Sequence, residues 1–179
     1  MELALAMGAR RVIGLGRTQA KLDTWKNNLG TAKASRVEVV VVGGDIAKDT
    51  EAIKAATPHG AGAEVFLDMS PWGASETASV LLKSGIGALK IGGRLVIMGG
   101  VDTDVAFPYM QVLLNNIQVI GNFMNERASS ETVIRFLESG LIDLDSYGEM
   151  VYEGLEKIDE ALDDAAKNSG GKHAIVLNP

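Results

Sequence analysis

Residues 92–101 read GGRLVIMGGV, and residues 65–71 read VFLDMSP. Each stretch is a short apolar run that ends in a charged residue or in residues with little side-chain bulk. Buried parallel strands have this pattern, because both faces of such a sheet are covered and the carboxyl ends of its strands face a ligand. The two stretches therefore predict a nucleotide-binding α/β sheet.

Composition and charge limit the class of protein. The chain has 179 residues, of which 46% are hydrophobic and 22% charged, as expected for one globular domain. Its formal net charge is −6 and it has no basic run, so nucleic acid is not an expected partner. No apolar run reaches the ~18 residues of a membrane span, and Glu2 stands where a secretory signal has basic residues. We therefore expect a cytoplasmic protein without a membrane partner.

Predicted strands and helices alternate along the chain. The strands are expected at residues 11–16, 37–42, 65–68, 94–98, 117–121 and 174–177. The helices are expected at residues 2–7, 19–29, 49–56, 74–91 with a break around residues 85–87, 109–115, 129–139 and 155–168. This order predicts a doubly wound parallel sheet of the Rossmann type. Residues 1–140 would form an incomplete nucleotide-binding domain, and residues 141–179 a C-terminal helix and strand that pack back on it or on another domain.

The element that should open such a sheet is missing from the sequence. A first strand and a glycine-rich turn normally precede the first helix, but residues 2–7 already read as the end of that helix. We therefore expect a sheet truncated at its N-terminus, in a fragment of a longer polypeptide or in a naturally short protein. The gap left by the first strand would need a filler, such as a partner chain or a rearranged N-terminal segment.

Five stretches, in this order and spacing, resemble the cofactor-binding domain of the medium-chain dehydrogenases/reductases, the zinc-type alcohol dehydrogenase family. They are residues 7–14, 68–71, 92–100, 120–124 and 170–179. The resemblance covers essentially the whole chain. It implies the cofactor-binding part of an NAD(P)-dependent oxidoreductase that acts on a small alcohol, aldehyde or ketone.

The resemblance also implies a catalytic zinc, carried in that family by an N-terminal domain that this chain lacks. The chain has no cysteine, and its only histidines are His59 and His173. A zinc site needs a set of such ligands at close spacing, so we expect no metal site within this chain. His59 lies in a predicted loop and is expected to be exposed to solvent.

The first group of candidate cofactor-binding residues follows the strand at 11–16. An NAD-preferring site places an acid near the position of Gly16, and Arg17 follows it in this chain. A guanidinium next to a small residue suits the 2′-phosphate of NADP, with Thr18 and Lys21 as possible helpers. NADP is therefore the preferred expectation and NAD the second. The alternative is that Arg17 is only a solvated residue at a strand end.

The second group follows the next three strands. The resemblance implies that the chain passes the adenine and ribose at the first strand end and the nicotinamide at the second. Paired glycines permit such a close approach, although they also occur in ordinary turns. Asp68 has an alternative role as the cap of the following turn. The candidates are Asp68, Met69, Ser70, Gly99, Gly100, Val101 and Asn122.

Three functions remain open at this point. The chain is the dinucleotide-binding part of an oxidoreductase, a shortened non-redox relative that serves as an interaction or dimerisation scaffold, or an enzyme with repurposed chemistry in the exposed crevice. No nucleophile or acid–base set is evident, so whether this chain is an enzyme stays open. The apolar strand at 117–121 reads as a sheet edge, and the resemblance implies that it pairs across a two-fold axis. A homodimer is therefore expected.

Overall fold

The computed structural model describes residues 1–71, 74–143, 149–167 and 173–177. Its strands are β1 (Val12–Gly16), β2 (Val37–Val41), β3 (Ala63–Asp68), β4 (Leu89–Ile97), β5 (Gln118–Gly121), β6 (Glu149–Glu153) and β7 (His173–Leu177). Its α-helices are α1 (Glu2–Ala6), α2 (Gln19–Asn27), α3 (Gly30–Ala34), α4 (Ile46–Ala55), α5 (Ser75–Gly87), α6 (Tyr109–Leu114), α7 (Arg127–Glu138) and α8 (Ile158–Lys167). Two short 3₁₀ turns cover Pro58–Gly60 and Leu155–Lys157.

The central sheet has the strand order β3-β4-β5, and all three strands are parallel. Asp68 of β3 pairs with Ile97 of β4, which pairs with Gly121 of β5. The three strands therefore end at the same level. Parallel strands connected by helices confirm the predicted α/β class.

The other strands form two smaller pairs, β1-β2 and β6-β7. At one end of the first pair the Val12 amide donates to Arg36 O, and at the other end the Val42 amide donates to Gly16 O. These bonds show that β1 and β2 run in the same direction. Strands β6 and β7 are also parallel.

The chain forms two compact units. One comprises residues 1–12, 23–37 and 128–179, and the other comprises residues 13–22 and 38–127. The division expected at residue 140 stays a prediction. All the candidate cofactor-binding residues lie in the second unit.

The core of the second unit lies between helix α5 and the central sheet. Ala78, Leu82 and Ile86 recur every fourth residue of α5, so they lie on one face of the helix, and each is at most 1% exposed. They meet the inward face of the sheet, where Phe66 and Leu95 are buried. Leu15 packs against the same cluster, so β1 borders this core too.

Some predicted boundaries are wrong. The helix expected at residues 74–91 ends at Gly87, where a break was expected, but residues 89–91 begin β4 and do not continue the helix. Leu89 pairs with Ala63 and is buried in the core, so sheet pairing overrides the helical pattern. The helix expected at residues 19–29 ends at Asn27, and Gly30 begins a separate helix, α3. Strand β6 was not predicted at all.

Candidate functional site

The carboxyl ends of the central strands are joined by backbone hydrogen bonds beyond the last paired residues. The Met98 amide donates to Asp68 O at 3.1 Å, and the Gly100 amide donates to Ser70 O at 2.8 Å. The Asn122 amide donates to the last carbonyl of β4 at 2.9 Å. The structure thus brings the second group of predicted residues together at one edge of the sheet.

The Asp68 carboxylate shapes the turn after β3. Its Oδ1 accepts hydrogen bonds from the Ser70 amide at 3.1 Å and from the Ser70 hydroxyl at 2.6 Å. Asp68 is 1% exposed, and its buried Oδ2 has no hydrogen-bond partner among the described residues. The geometry is that of an Asp side chain closing a turn two residues ahead, so the capping role is present. A direct contact between Asp68 and a cofactor stays a prediction.

Gly99 lies directly against this turn. A Cβ atom at Gly99 would be 2.8 Å from Asp68 Oδ2 and 2.9 Å from both the amide nitrogen and the carbonyl oxygen of Ser70. Such separations are shorter than van der Waals contact, and two of the three atoms belong to the backbone. The close approach of the two strand ends therefore requires glycine at this position.

The first group of predicted residues follows β1, in the β1-β2 pair. Arg17, Thr18 and Lys21 are exposed, and their side chains are open to solvent. Gly16 has a packing reason to be small, because a Cβ atom there would be 2.9 Å from Cδ2 of the buried Leu22. An acidic residue at position 16 would require Leu22 to move. Glycine at position 16, in place of an acid, therefore fits the packing of α2 against the end of β1.

Sequence reasoning missed the role of Asp49, which lies on α4 next to the loop that follows β2. Its two carboxylate oxygens accept hydrogen bonds from the Gly43 and Gly44 amides, both at 2.9 Å, and Asp49 is 5% exposed. The carboxylate therefore fixes the loop that follows β2. An acid in the first turn of a helix, five residues after the second of two glycines, was the signal available in the sequence.

The same edge carries exposed apolar side chains, those of the candidate Met69 and of Met98 and Phe123, which neighbour the candidates Gly99 and Asn122. Met69 is 72% exposed, Met98 is 45% exposed and Phe123 is 88% exposed. The Asn122 side chain donates to Met124 O at 3.1 Å and so closes its own loop. Val101 is half-buried at the end of the segment that contains Gly99 and Gly100. An apolar rim with a few fixed polar groups is typical of small-molecule sites.

The described residues contain no group of three or more His, Asp or Glu side chains that could hold a metal ion. The chain has no cysteine. The described residues therefore do not fit a catalytic zinc. His59 is exposed in the 3₁₀ turn at Pro58–Gly60. Within the described part of the chain, every helix is too short or too polar to cross a membrane.

A family model described as zinc-binding dehydrogenase matches residues 1–139. Among solved structures, the chain is similar to benzyl alcohol dehydrogenase from Acinetobacter calcoaceticus, at 21% identity and a TM-score of 0.70 over 98% of this chain. It is also similar to 2R,3R-butanediol dehydrogenase from Bacillus subtilis, at 17% identity and a TM-score of 0.73 over 98% of this chain. A third similar structure is a short chain alcohol dehydrogenase (rspB) from E. coli CFT073 complexed with the cofactor NADH, at 13% identity and a TM-score of 0.68 over 96% of this chain.

These three matches cover 45%, 46% and 46% of the solved chains, so this chain spans a little less than half of their length. At these identities the structural matches show a shared fold. No sequence match to a curated protein was found.

Proposed function

The chain belongs to the zinc-binding dehydrogenases of the medium-chain dehydrogenase/reductase family, and on that premise we propose that it is the dinucleotide-binding part of an alcohol dehydrogenase-like oxidoreductase. The substrate would be a small alcohol, aldehyde or ketone, bound mainly by residues outside this chain. The cytoplasm is the proposed location, an expectation that rests on the sequence.

The observation that carries this proposal is the arrangement of Asp68, Ser70, Gly99 and Gly100. Parallel strands bind nucleotides beyond their carboxyl ends, and these residues occupy that place on two adjacent strands. The Asp68–Ser70 turn and the glycine segment would form a rigid binding surface that orients the cofactor. The bound nicotinamide would supply hydride transfer, and the chain's own residues would bind it, orient it and exclude water on this side.

NADP is the cofactor we propose, with NAD as the second choice. The support is the exposed Arg17 at the end of β1, with Thr18 and Lys21 nearby along the chain. An acidic side chain at position 16, which would favour NAD and repel a 2′-phosphate, would require Leu22 to move away from Gly16. The guanidinium of Arg17 is the group we assign to that phosphate.

A homodimer through the edge of β5 is the proposed assembly. Within the described residues, β5 pairs with β4 on one side only. Val119 and Ile120 are each 40% exposed on this edge strand. An exposed apolar edge invites pairing with another strand, and a second copy of the chain offers an identical one.

Titration of the chain with NADPH and NADH, followed by nicotinamide fluorescence, tests the cofactor proposal. We expect saturable binding of both, with NADPH bound more tightly. If neither binds at near-millimolar concentration, the chain does not bind dinucleotide by itself. That result would favour the scaffold alternative, whose support is the exposed apolar side chains of α6, Tyr109, Met110, Leu113 and Leu114.

A further inference from the structure

An open pocket of about 450 Å³ is lined by Arg10, Arg11, Ser35 and Arg36. Three of the four lining residues are cationic and none is acidic, although the chain as a whole carries a net charge of −6. Arg10 and Arg11 immediately precede β1 and Arg36 immediately precedes β2, so the pairing of these strands brings the arginines together. This arginine pocket lies at the amino ends of the two strands, whereas the candidate dinucleotide residues follow carboxyl ends.

Arg36 is held in position by the segment that it faces. Its Nε donates to Arg10 O at 3.4 Å, and its Nη2 donates to Ala9 O. Two hydrogen bonds from one guanidinium fix its plane, so less side-chain freedom is lost when a ligand binds. The Ser35 hydroxyl donates its proton to Ala32 O at 2.8 Å, so that proton is not available to a ligand in the pocket. Recognition in the pocket therefore depends on the guanidinium groups.

We propose that the arginine pocket binds a phosphate group at a site separate from the dinucleotide site. Guanidinium groups carry planar sets of N–H donors that match pairs of phosphate oxygens. A polyvalent anion in the pocket is attracted to several guanidinium groups at once. Free polyphosphate and the phosphates of a nucleotide share this chemistry. The inference stands independently of the proposed oxidoreductase function.

Calorimetric titration of the whole chain with inorganic pyrophosphate at low ionic strength tests the site. We expect saturable binding that weakens as salt is added, because exposed charges are screened. Arg10→Gln should raise the dissociation constant about fivefold or more, which is about 1 kcal/mol. Lys48→Gln is the matched control, because it removes one positive charge from an exposed side chain on α4 that does not line the pocket.

The outcomes distinguish binding of phosphate in the arginine pocket from nonspecific electrostatic attraction to the chain. An equal loss of affinity in Arg10→Gln and Lys48→Gln would overturn the proposal, and so would the absence of saturation. ADP titrated in parallel distinguishes the source of the phosphate. Equal binding of ADP and pyrophosphate supports phosphate recognition, whereas binding of ADP without pyrophosphate contradicts it. NADPH binding should be unchanged in Arg10→Gln, which distinguishes this pocket from the dinucleotide site.

Discussion

Asp68 Oδ1 lies 2.6 Å from Ser70 Oγ and 3.1 Å from the Ser70 amide nitrogen, and these two hydrogen bonds close the turn at the end of β3. Both residues are buried, at 1% and 8% exposure. The same turn accepts the Gly100 amide on Ser70 O. A single carboxylate oxygen thus organises the two adjacent strand ends that form the proposed cofactor-binding surface.

Substitution of Asp68 distinguishes its hydrogen-bonding role from its charge. Asp68→Ala leaves the buried donors of Ser70 without their acceptor, so we expect a loss of about 1–3 kcal/mol in the free energy of unfolding. Asp68→Asn keeps an acceptor oxygen and should recover NADPH affinity relative to the alanine variant. Urea unfolding and cofactor titration measure the two effects. Equal cofactor affinity in both variants would show that the turn does not position the cofactor.

Gly99→Ala tests the close approach of the strand ends. The new Cβ would lie 2.8–2.9 Å from Asp68 Oδ2 and the Ser70 backbone, so we expect about 1–3 kcal/mol of destabilisation and weaker NADPH binding. Gly121→Ala is the matched control at the end of β5, where a Cβ meets no atom within 4 Å. Denaturant unfolding compares the two. Similar stability of both variants would contradict the packing argument.

Arg17→Asp tests the assignment of the 2′-phosphate. Replacing the guanidinium with a carboxylate should raise the dissociation constant of NADPH at least tenfold, or about 1.4 kcal/mol, because it substitutes repulsion for attraction. NADH should be affected much less. Lys48→Asp makes the same change of charge on α4 and should leave both constants near their original values. Equal weakening of NADPH and NADH by Arg17→Asp would contradict the assignment.

Val119→Pro tests dimerisation through β5. The Asn122 amide donates to β4, and amides alternate in direction along a strand, so the Val119 amide points away from β4. Proline at an outward position removes one donor from the free edge while the β4 ladder is retained. In solution we expect the wild type at twice the chain mass of 18.9 kDa and the variant at a higher monomer fraction. A wild type that stays monomeric at high concentration would contradict the proposed dimer.

The hydrogen bond between Tyr152 and Asp164 predicts that the folded chain loses stability at alkaline pH. The Tyr152 hydroxyl donates to Asp164 Oδ2 at 2.6 Å, and this hydrogen bond to a carboxylate raises the pKa of Tyr152 to about 12. The ordinary tyrosine pKa is about 10, so the stabilisation is fully present below pH ~10 and is lost as the pH rises through ~12. Spectroscopic titration of the phenolate should show this raised pKa. Asp164→Asn should lower the pKa of Tyr152, and an unchanged pKa would show that the Asp164 carboxylate does not cause the shift.

The candidate edge was predictable because apolar runs ending in Asp68 and in Gly99 mark buried strands. The same reasoning located β1, β2 and β5 to within a residue or two, since their apolar patterns are short and continuous. It failed at residues 89–91, where an apolar run is compatible with either a helix or a strand. The pairing of Leu89 with Ala63 decided that region, and this contact joins residues far apart in sequence.

The roles of the polar residues at the strand ends could not be decided from the sequence either. The residue type at Asp68 indicated a turn cap or a ligand contact, and the sequence could not choose between them. At Asp49 the sequence showed only an acid in the first turn of a helix, and the role of that acid depends on reaching back to the amides of Gly43 and Gly44. Local propensity describes neither of these arrangements. They depend on which loops the folded backbone places within hydrogen-bonding distance.

The sequence by itself determined the α/β class, the order of most elements apart from α3 and β6, and the family, because hydrophobic periodicity and strand-end glycines are local properties of the chain. Only the tertiary structure decided that Gly99 must pass beside Ser70, that Leu22 fills the space beside Gly16, and that Arg10 and Arg36 meet at one pocket. The physical reason is that close packing and charge proximity depend on distances in space. Those distances are fixed by strand pairing between segments that the sequence keeps apart.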